Sequence, residues 1–469
     1  MSAVLYAVGR WCYRRRLTVI GLWLGLLVLL GGSAAVFSGS FNNAFEIPSS
    51  KSQEALDKLR MTFPQGAALS ALAVVVAPEG EQVADHRAEI EDAIEEFDEL
   101  SMVEAVTSPW NEYVDGLVSD SGRAAIIQLS LDFDGQTPTE AQLEPITEVA
   151  DALEAAMPEG TQVSMGGEAY NIELPHLSVI EAIGLLVAMV VLTVVLGSVV
   201  AAGLPLLTAI TGVGIAMALM FLLTRIFDIN STTPLLSVML GLAVGIDYAL
   251  FILSRHRDQL RDGLEPEESA GRAVGTSGSA VVFAGLTVFI ALLGLGVANI
   301  PFLTVMGIFA AVTVAISVAI ALTFLPALMG LLGERMRPRP RKAAAKPRPH
   351  GGAFAWWVNL TTTHPIVTIV VTVGALLAMA VPALGLQVSL PNAGQQRPEQ
   401  PARVAFDLIS EHFGAGVNGP LIVTADIIGS TDPLGLMASL KEDIEGIDGV
   451  ASVPLATPNP NADTGLIQV

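Results

Sequence analysis

Seven stretches of this sequence stay apolar for about as long as a helix needs to cross a bilayer, and no other feature constrains the fold as much. They run from about Leu17 to Phe37, Leu177 to Ser198, Val200 to Leu223, Thr232 to Ser254, Ser277 to Ala298, Phe302 to Leu332, and through "HPIVTIVVTVGALLAMAVPALGLQV", His364 to Val388. Inside lipid every backbone N–H and C=O must be satisfied within the protein, so stretches of this length become helices. Composition agrees, with 52% hydrophobic and 15% charged residues. The expected class is an α-helical polytopic membrane protein.

Charge orients it. Arg14, Arg15 and Arg16 precede the first stretch, whose apolar core is too long for a cleaved signal, so it reads as an uncleaved anchor with the N-terminus in the cytoplasm. The segment from Phe41 to His176 is then exported. It holds 27 of the 46 Asp and Glu but 5 of the 24 Lys and Arg, which leaves 19 of each sign elsewhere. The formal net charge of −22 therefore belongs to one water-exposed domain, a poor partner for nucleic acid. Its apolar strands, "ALAVVVAP" and "AAIIQLSL", alternate with amphipathic stretches, "ADHRAEIEDAIEEFDEL" and "EAQLEPITEVADALEAAM", the rhythm of a small α+β domain. By alternation of sides, "SRHRDQLR" and the Pro-rich "ERMRPRPRKAAAKPRPH" face the cytoplasm, as the excess of basic residues requires.

After that linker the sequence starts again. The seventh stretch repeats the role of the first, and "AFDLISEHFGAGVNGPLIVTADI" answers "ALDKLRMTFPQGAALSALAVVVA" at a spacing of about 350 residues. The expected division is 1–40 (N-terminus and first helix), 41–176 (first exported domain), 177–333 (five helices), 334–352 (linker), 353–386 (seventh helix) and 387–469 (start of a second exported domain). Such a duplication is typical of transporters, and the second copy stops at Val469, so the chain is expected to be a fragment or half of a split gene, lacking about five helices.

Several chemistries find no support. The one cysteine, Cys12, excludes an intramolecular disulfide and a cysteine metal cluster, and the six histidines lack ligand spacing. No Walker phosphate loop is present, and Gly212/Gly214 and Gly294/Gly296 lack the third glycine of a dinucleotide fingerprint. With no nucleophile–base pair either, neither an enzyme nor a cofactor site is expected.

The chemistry that is present lies in "GLAVGIDYALFILSRHR", Gly241 to Arg257. Asp247 sits deep in an apolar span, where a charge costs at least a few kcal/mol, so it loses its charge or finds a partner. Gly241, Gly245 and Tyr248 share one helical stripe, and small residues four apart let a neighbouring helix approach. Asp247 lies about 100° round from Tyr248, so both can face an interior crevice. An aspartate there can exchange a proton as the crevice is hydrated from alternate sides, biasing two helix arrangements. A structural reading stands beside it: Asp247 hydrogen-bonded to Tyr248 or to Thr208, Thr211 or Thr287. Glu181, Glu168 and Tyr170 read as interfacial or turn residues. Arg255, His256 and Arg257 read as a headgroup anchor at the helix end, with His256 an exposed loop histidine at the start of a polar connection from Arg255 to Gly275, and Trp356 and Trp357 read as an aromatic belt.

The same stretch, followed by "AGRAVGTSGSAVVFAGLTVFIALLGL", resembles the MMPL branch of the resistance-nodulation-division (RND) superfamily. The resemblance implies two halves, each of six helices with a porter domain after the first helix. It implies a proton gradient as energy source, export of lipids or hydrophobic small molecules, and Asp247 and Tyr248 as a relay completed by an equivalent pair in the second half. A second half or another copy of the chain would then be the partner. Two other functions remain open: an accessory translocation component similar to SecD and SecF, and a non-transporting sensor or scaffold similar to Patched-like relatives.

Overall fold

A computed structural model of the chain describes residues 1–37, 39, 41, 47–63, 69–111, 114–133, 138–170, 179–338, 353–386 and 392–469. It divides into two compact units, Met1–Met336 with Ala393–Val469, and Arg337–Asn392.

The first apolar stretch is helix α2, Arg16–Phe37, but an unforeseen helix precedes it, α1, Ser2–Arg14. Burial pushes the Cys12 thiol in α1 up to about 11, so it stays protonated. The α+β domain then begins with α3 (Lys51–Thr62), whose Ser50 cap accepts a bond from the Gln53 amide at 3.1 Å. There follow β1 (Leu69–Val76), α4 (Arg87–Asp98), β2 (Val103–Thr107), β3 (Ala124–Leu131), α5 (Glu140–Ala156) and β4 (Gln162–Gly166). From β1 onward this is a β-α-β-β-α-β unit with an antiparallel sheet in the order β2-β3-β1-β4.

Strand β1 shows why the sequence reads as one apolar run. Ala71, Ala73 and Val75 face Ile90 and Phe97 of α4 and Ile146 and Leu153 of α5, while Val74 and Val76 belong to a cluster on the other face. Both faces of the strand are buried, so the usual alternation of apolar and polar residues is lost. After β4 the Tyr170 hydroxyl meets the Thr147 hydroxyl at 3.0 Å, fixing the chain that leaves the sheet against α5. Burial raises the Tyr170 phenol above its ordinary value, against a lowering by Thr147.

The membrane helices follow as α6 (Val179–Leu196), α7 (Val199–Leu223), α8 (Thr232–Arg261), α9 (Pro266–Leu293) and α10 (Pro301–Leu332). In the other unit, α11 (Ala353–Thr363) meets α12 (Pro365–Ala380) at His364, and Trp356 and Trp357 on α11 are exposed. Six spans among the described residues are long and apolar enough to cross a membrane, and the described apolar part of α6, Ala182–Leu196, is shorter. The chain is a polytopic membrane protein. The side chain of Glu181 and residues 339–352 of the basic linker lie outside the described residues.

One reading needs correction. The polar stretch from Arg255 to Gly275 is not a loop: α8 runs on to Arg261 and α9 starts at Pro266. His256 is buried, because the Ser269 hydroxyl of α9 lies 2.8 Å from its Nδ1 and 3.0 Å from its carbonyl. Arg257 turns inward too, donating to the Leu196 carbonyl at the end of α6. A polar joint between helices replaces the expected exposed anchor; only Arg255 stays exposed.

The last part of the chain repeats the first domain. It contains α13 (Pro401–His412), β5 (Ile422–Asp426), α14 (Pro433–Glu445), β6 (Leu455–Pro458) and β7 (Thr464–Gln468), with strand order β5-β7-β6 matching β1-β3-β2. Helix α13, however, packs on the first sheet. Ala405, Leu408 and Ile409 cover Val74, Val76, Ala124 and Ile126, and Gly166 leaves room for Ala405, whose methyl lies 2.8 Å from where a Cβ would stand. The Ser164 hydroxyl donates to the Pro401 carbonyl at 2.9 Å, and Lys441 pairs with Asp115 at 2.9 Å. The two α+β segments are interlocked rather than strung in series.

Candidate functional site

The site is built on α8. At 1.5 Å per residue its 30 residues span about 45 Å, and Asp247 lies about 22 Å from the start, close to mid-helix. Two faces of the helix matter. One carries Gly241 and Gly245, both buried. A Cβ on Gly241 would stand 2.8 Å from methyls of Val213 on α7 and Thr313 on α10, and one on Gly245 would stand 3.0 Å from the Ala209 Cβ and 3.1 Å from its Cα. These glycines let α8 approach the α7 backbone at Ala209 and lie directly on side chains of α7 and α10, as their spacing predicts.

The other face is open. Leu235, Met239, Asp247 and Phe251 recur every four residues or a multiple of four, and all are exposed: Leu235 is 44%, Met239 59% and Phe251 61% accessible. Asp247 has no hydrogen bond or ion pair among the described residues. Tyr248, one step round the helix, is half-buried and turns its ring toward α9, with its Cε2 3.6 Å from where a Cβ on Gly285 would stand. Asp247 and Tyr248 therefore do not share an enclosed crevice among the described residues.

The threonines do not gather round the carboxylate. The Thr208 hydroxyl donates to the Pro205 carbonyl at 2.8 Å, Thr211 to Leu207 at 2.7 Å, and Thr287 to Phe283 at 2.9 Å. Each satisfies itself on its own helix, as hydroxyls in membrane helices commonly do. Thr208 and Thr211 are buried and Thr287 is exposed. No group of three or more His, Cys, Asp or Glu able to hold a metal occurs among the described residues.

With this geometry in hand, comparison with known proteins places the chain. The profile of the MMPL family matches residues 44–368. The chain belongs to the MMPL family. It is 36% identical over 473 residues to membrane protein YdfJ of Bacillus subtilis, covering 100% of this chain and 64% of that protein. It is 27% identical to the mycolic acid-containing lipids exporter MmpL11 of Mycolicibacterium smegmatis, over 97% of this chain and 49% of the relative. Against the heme uptake protein MmpL11 of Mycobacterium tuberculosis the identity is 30%, over 60% of this chain and 29% of the other. This MMPL chain thus spans between 49% and 64% of the length of the first two relatives.

Sequence reasoning missed one polar feature, at the start of α9. Tyr6, Arg10 and Arg14 of α1 grip the start of α9: the Tyr6 hydroxyl donates to Glu268 at 2.6 Å, and Arg10 and Arg14 both reach Glu267 Oε1, at 2.6 and 2.7 Å. The spacing of Tyr6, Arg10 and Arg14, one helical turn each, was a visible signal. Their partners, more than 250 residues away, were not.

Proposed function

We propose that this MMPL chain forms the proton-coupled part of an exporter of lipids or other amphipathic small molecules, in the plasma membrane with its N-terminus cytoplasmic and its α+β domains outside. The observation that carries this is Asp247, a carboxylate at mid-helix with no partner among the described residues, on an open, otherwise apolar stripe. Left against acyl chains as an anion it would cost at least about 2.5 to 3.5 kcal/mol. A residue kept in such a position is supported by two circumstances: it spends part of its cycle protonated, and another membrane segment covers it. That segment is the second half of the transporter or another copy of the chain.

The glycine contacts supply the mechanical side of this proposal. Because α8 lies against α7 and α10 with little side-chain padding, a change in charge at Asp247 that moves α8 is passed to both neighbours. Similarity to a mycobacterial exporter of mycolic acid-containing lipids supports a lipidic substrate. The test is efflux of a fluorescent lipid analogue from proteoliposomes holding this chain together with a polypeptide that supplies the remaining helices of the family architecture. Efflux is expected to require an imposed proton gradient. Efflux that continues after a protonophore collapses the gradient would contradict the proposal.

A further inference from the structure

Several hydroxyls of the helix bundle satisfy themselves on their own helix. On α10, Thr313 donates to the Phe309 carbonyl and Ser317 to the Thr313 carbonyl, each at 2.9 Å, as Thr208 and Thr211 do on α7. Two hydroxyls of α8 do not. Thr233 and Ser237 are 0% and 1% accessible, yet neither Thr233 Oγ1 nor Ser237 Oγ has a hydrogen-bond partner among the described residues. Just before α8, Asn230 is 3% accessible and its Nδ2 has no such partner either. Its Oδ1 is engaged, accepting from the Thr232 amide at 3.0 Å and the Thr232 hydroxyl at 2.7 Å.

Periodicity shows where the two hydroxyls lie. Thr233, Ser237 and Gly241 are four apart and share one stripe of α8. Gly241 faces the seam between Val213 of α7 and Thr313 of α10. Ser237 and Thr233 therefore enter the same seam, one and two turns nearer the start of α8. At that level the neighbouring helices contribute small buried residues: Ala216 on α7, three after Val213, and Ala310 on α10, three before Thr313. Small side chains on both flanks leave room beside the hydroxyls. Met220, Ile229, Phe309 and Phe41 form a buried apolar cluster at this end of the bundle.

A buried hydroxyl without a partner costs free energy, so these atoms call for a ligand that can both donate and accept. Spacing selects it. Side chains four apart on a helix have Cβ atoms about 5–6 Å apart. One water that makes two O–H···O bonds of about 2.7–2.8 Å each spans a gap of that size. The residues named around the seam carry no charge that would hold an ion. We propose that the seam between α7, α8 and α10 is a binding site for internal water, with one molecule bridging Thr233 and Ser237 and the Asn230 amide donating to the same cluster. Such water exchanges partners as α8 slides, where direct bonds between the helices would lock the seam. The site lies on the packed side of α8, away from the open stripe of Asp247, and is independent of proton coupling there.

The test is a double-mutant cycle read by thermal unfolding of the full chain in detergent. Thr233→Val keeps the shape of the side chain, and Ser237→Ala removes one atom. Each is expected to lower the melting temperature, because the remaining hydroxyl and its water lose a bond. The double variant is expected to fall by less than the sum of the two shifts, because a shared water is lost once. Thr233→Ser keeps the hydroxyl and is expected to preserve the full effect of Ser237→Ala. Thr211→Val, whose hydroxyl bonds its own helix, is expected to add to Ser237→Ala without coupling. In a dry seam the removal of an unpaired hydroxyl relieves a cost, so single variants that melt at or above the wild-type temperature would overturn the proposal. Strictly additive lowering by Thr233→Val and Ser237→Ala, or equal coupling with Thr211→Val, would overturn it as well.

Discussion

Replacing Asp247 with asparagine is expected to reduce gradient-driven proton flux to the level of empty liposomes while leaving the protein folded. Asparagine keeps the size and polarity of the side chain but cannot take up or release a proton. The fold should tolerate it, because Asp247 makes no hydrogen bond or ion pair among the described residues and lies on the exposed stripe with Met239 and Phe251. If anything, removing a charge from within an apolar span favours insertion. Asp247→Glu retains the titratable group but displaces it by about one carbon–carbon bond. A shift on the order of 1 Å can cost up to about a hundredfold where geometry is tightly set, so measurable but reduced flux is expected. A structural aspartate would give the opposite ranking, with loss of folded protein in Asp247→Asn and no specific effect on protons.

The second large effect is expected at Gly245. Valine there would put its Cβ about where contacts to Ala209 are already 3.0 and 3.1 Å, one of them to backbone, which cannot rotate away. Helices α7 and α8 would have to separate, and overpacking of this kind typically costs about 1 to 3 kcal/mol. Gly241→Val should behave differently in degree, since its near neighbours are the γ-methyls of Val213 and Thr313, which can give way more easily. Gly184→Val is the control, because nothing lies within 4 Å of the added atom. Thermal unfolding in detergent reads the comparison. Equal melting of Gly245→Val and Gly184→Val would mean that the close approach of α7 and α8 contributes nothing to stability.

What the sequence shows and what it hides follow from the range of the interactions involved. Membrane spans depend on local composition, so each apolar stretch marks a helix, although α8 runs on to Arg261 and α9 starts as early as Pro266. The glycine stripe is legible because helical periodicity alone puts Gly241 and Gly245 on one face. The strands of the first α+β domain are legible from their apolar runs, although burial of β1 on both faces removes the alternation that would have identified them most clearly. The grip of α1 on α9 is not legible, since Arg10 and Glu267 are separated by 257 positions. His256 was misread for a related reason: a polar stretch beyond the membrane looks like a loop until Ser269 and Leu196 provide the partners that let it stay helical and buried. The packing of α13 onto the first sheet is hidden likewise, because the partners of Ala405, Leu408 and Ile409 on β1 and β3 lie far away in the sequence.

The face that Asp247 occupies was also beyond the reach of periodicity. Spacing places it beside Tyr248, but only packing decides that Tyr248 turns toward α9 while Asp247 is left on the open side. That arrangement makes protonation of Asp247 the central claim, and infrared difference spectroscopy across a pH titration tests it most directly. In the assembled transporter the account predicts a carbonyl band of a protonated carboxylic acid that appears as pH falls and is missing from Asp247→Asn. A band pattern identical in wild type and Asp247→Asn at every pH would contradict it.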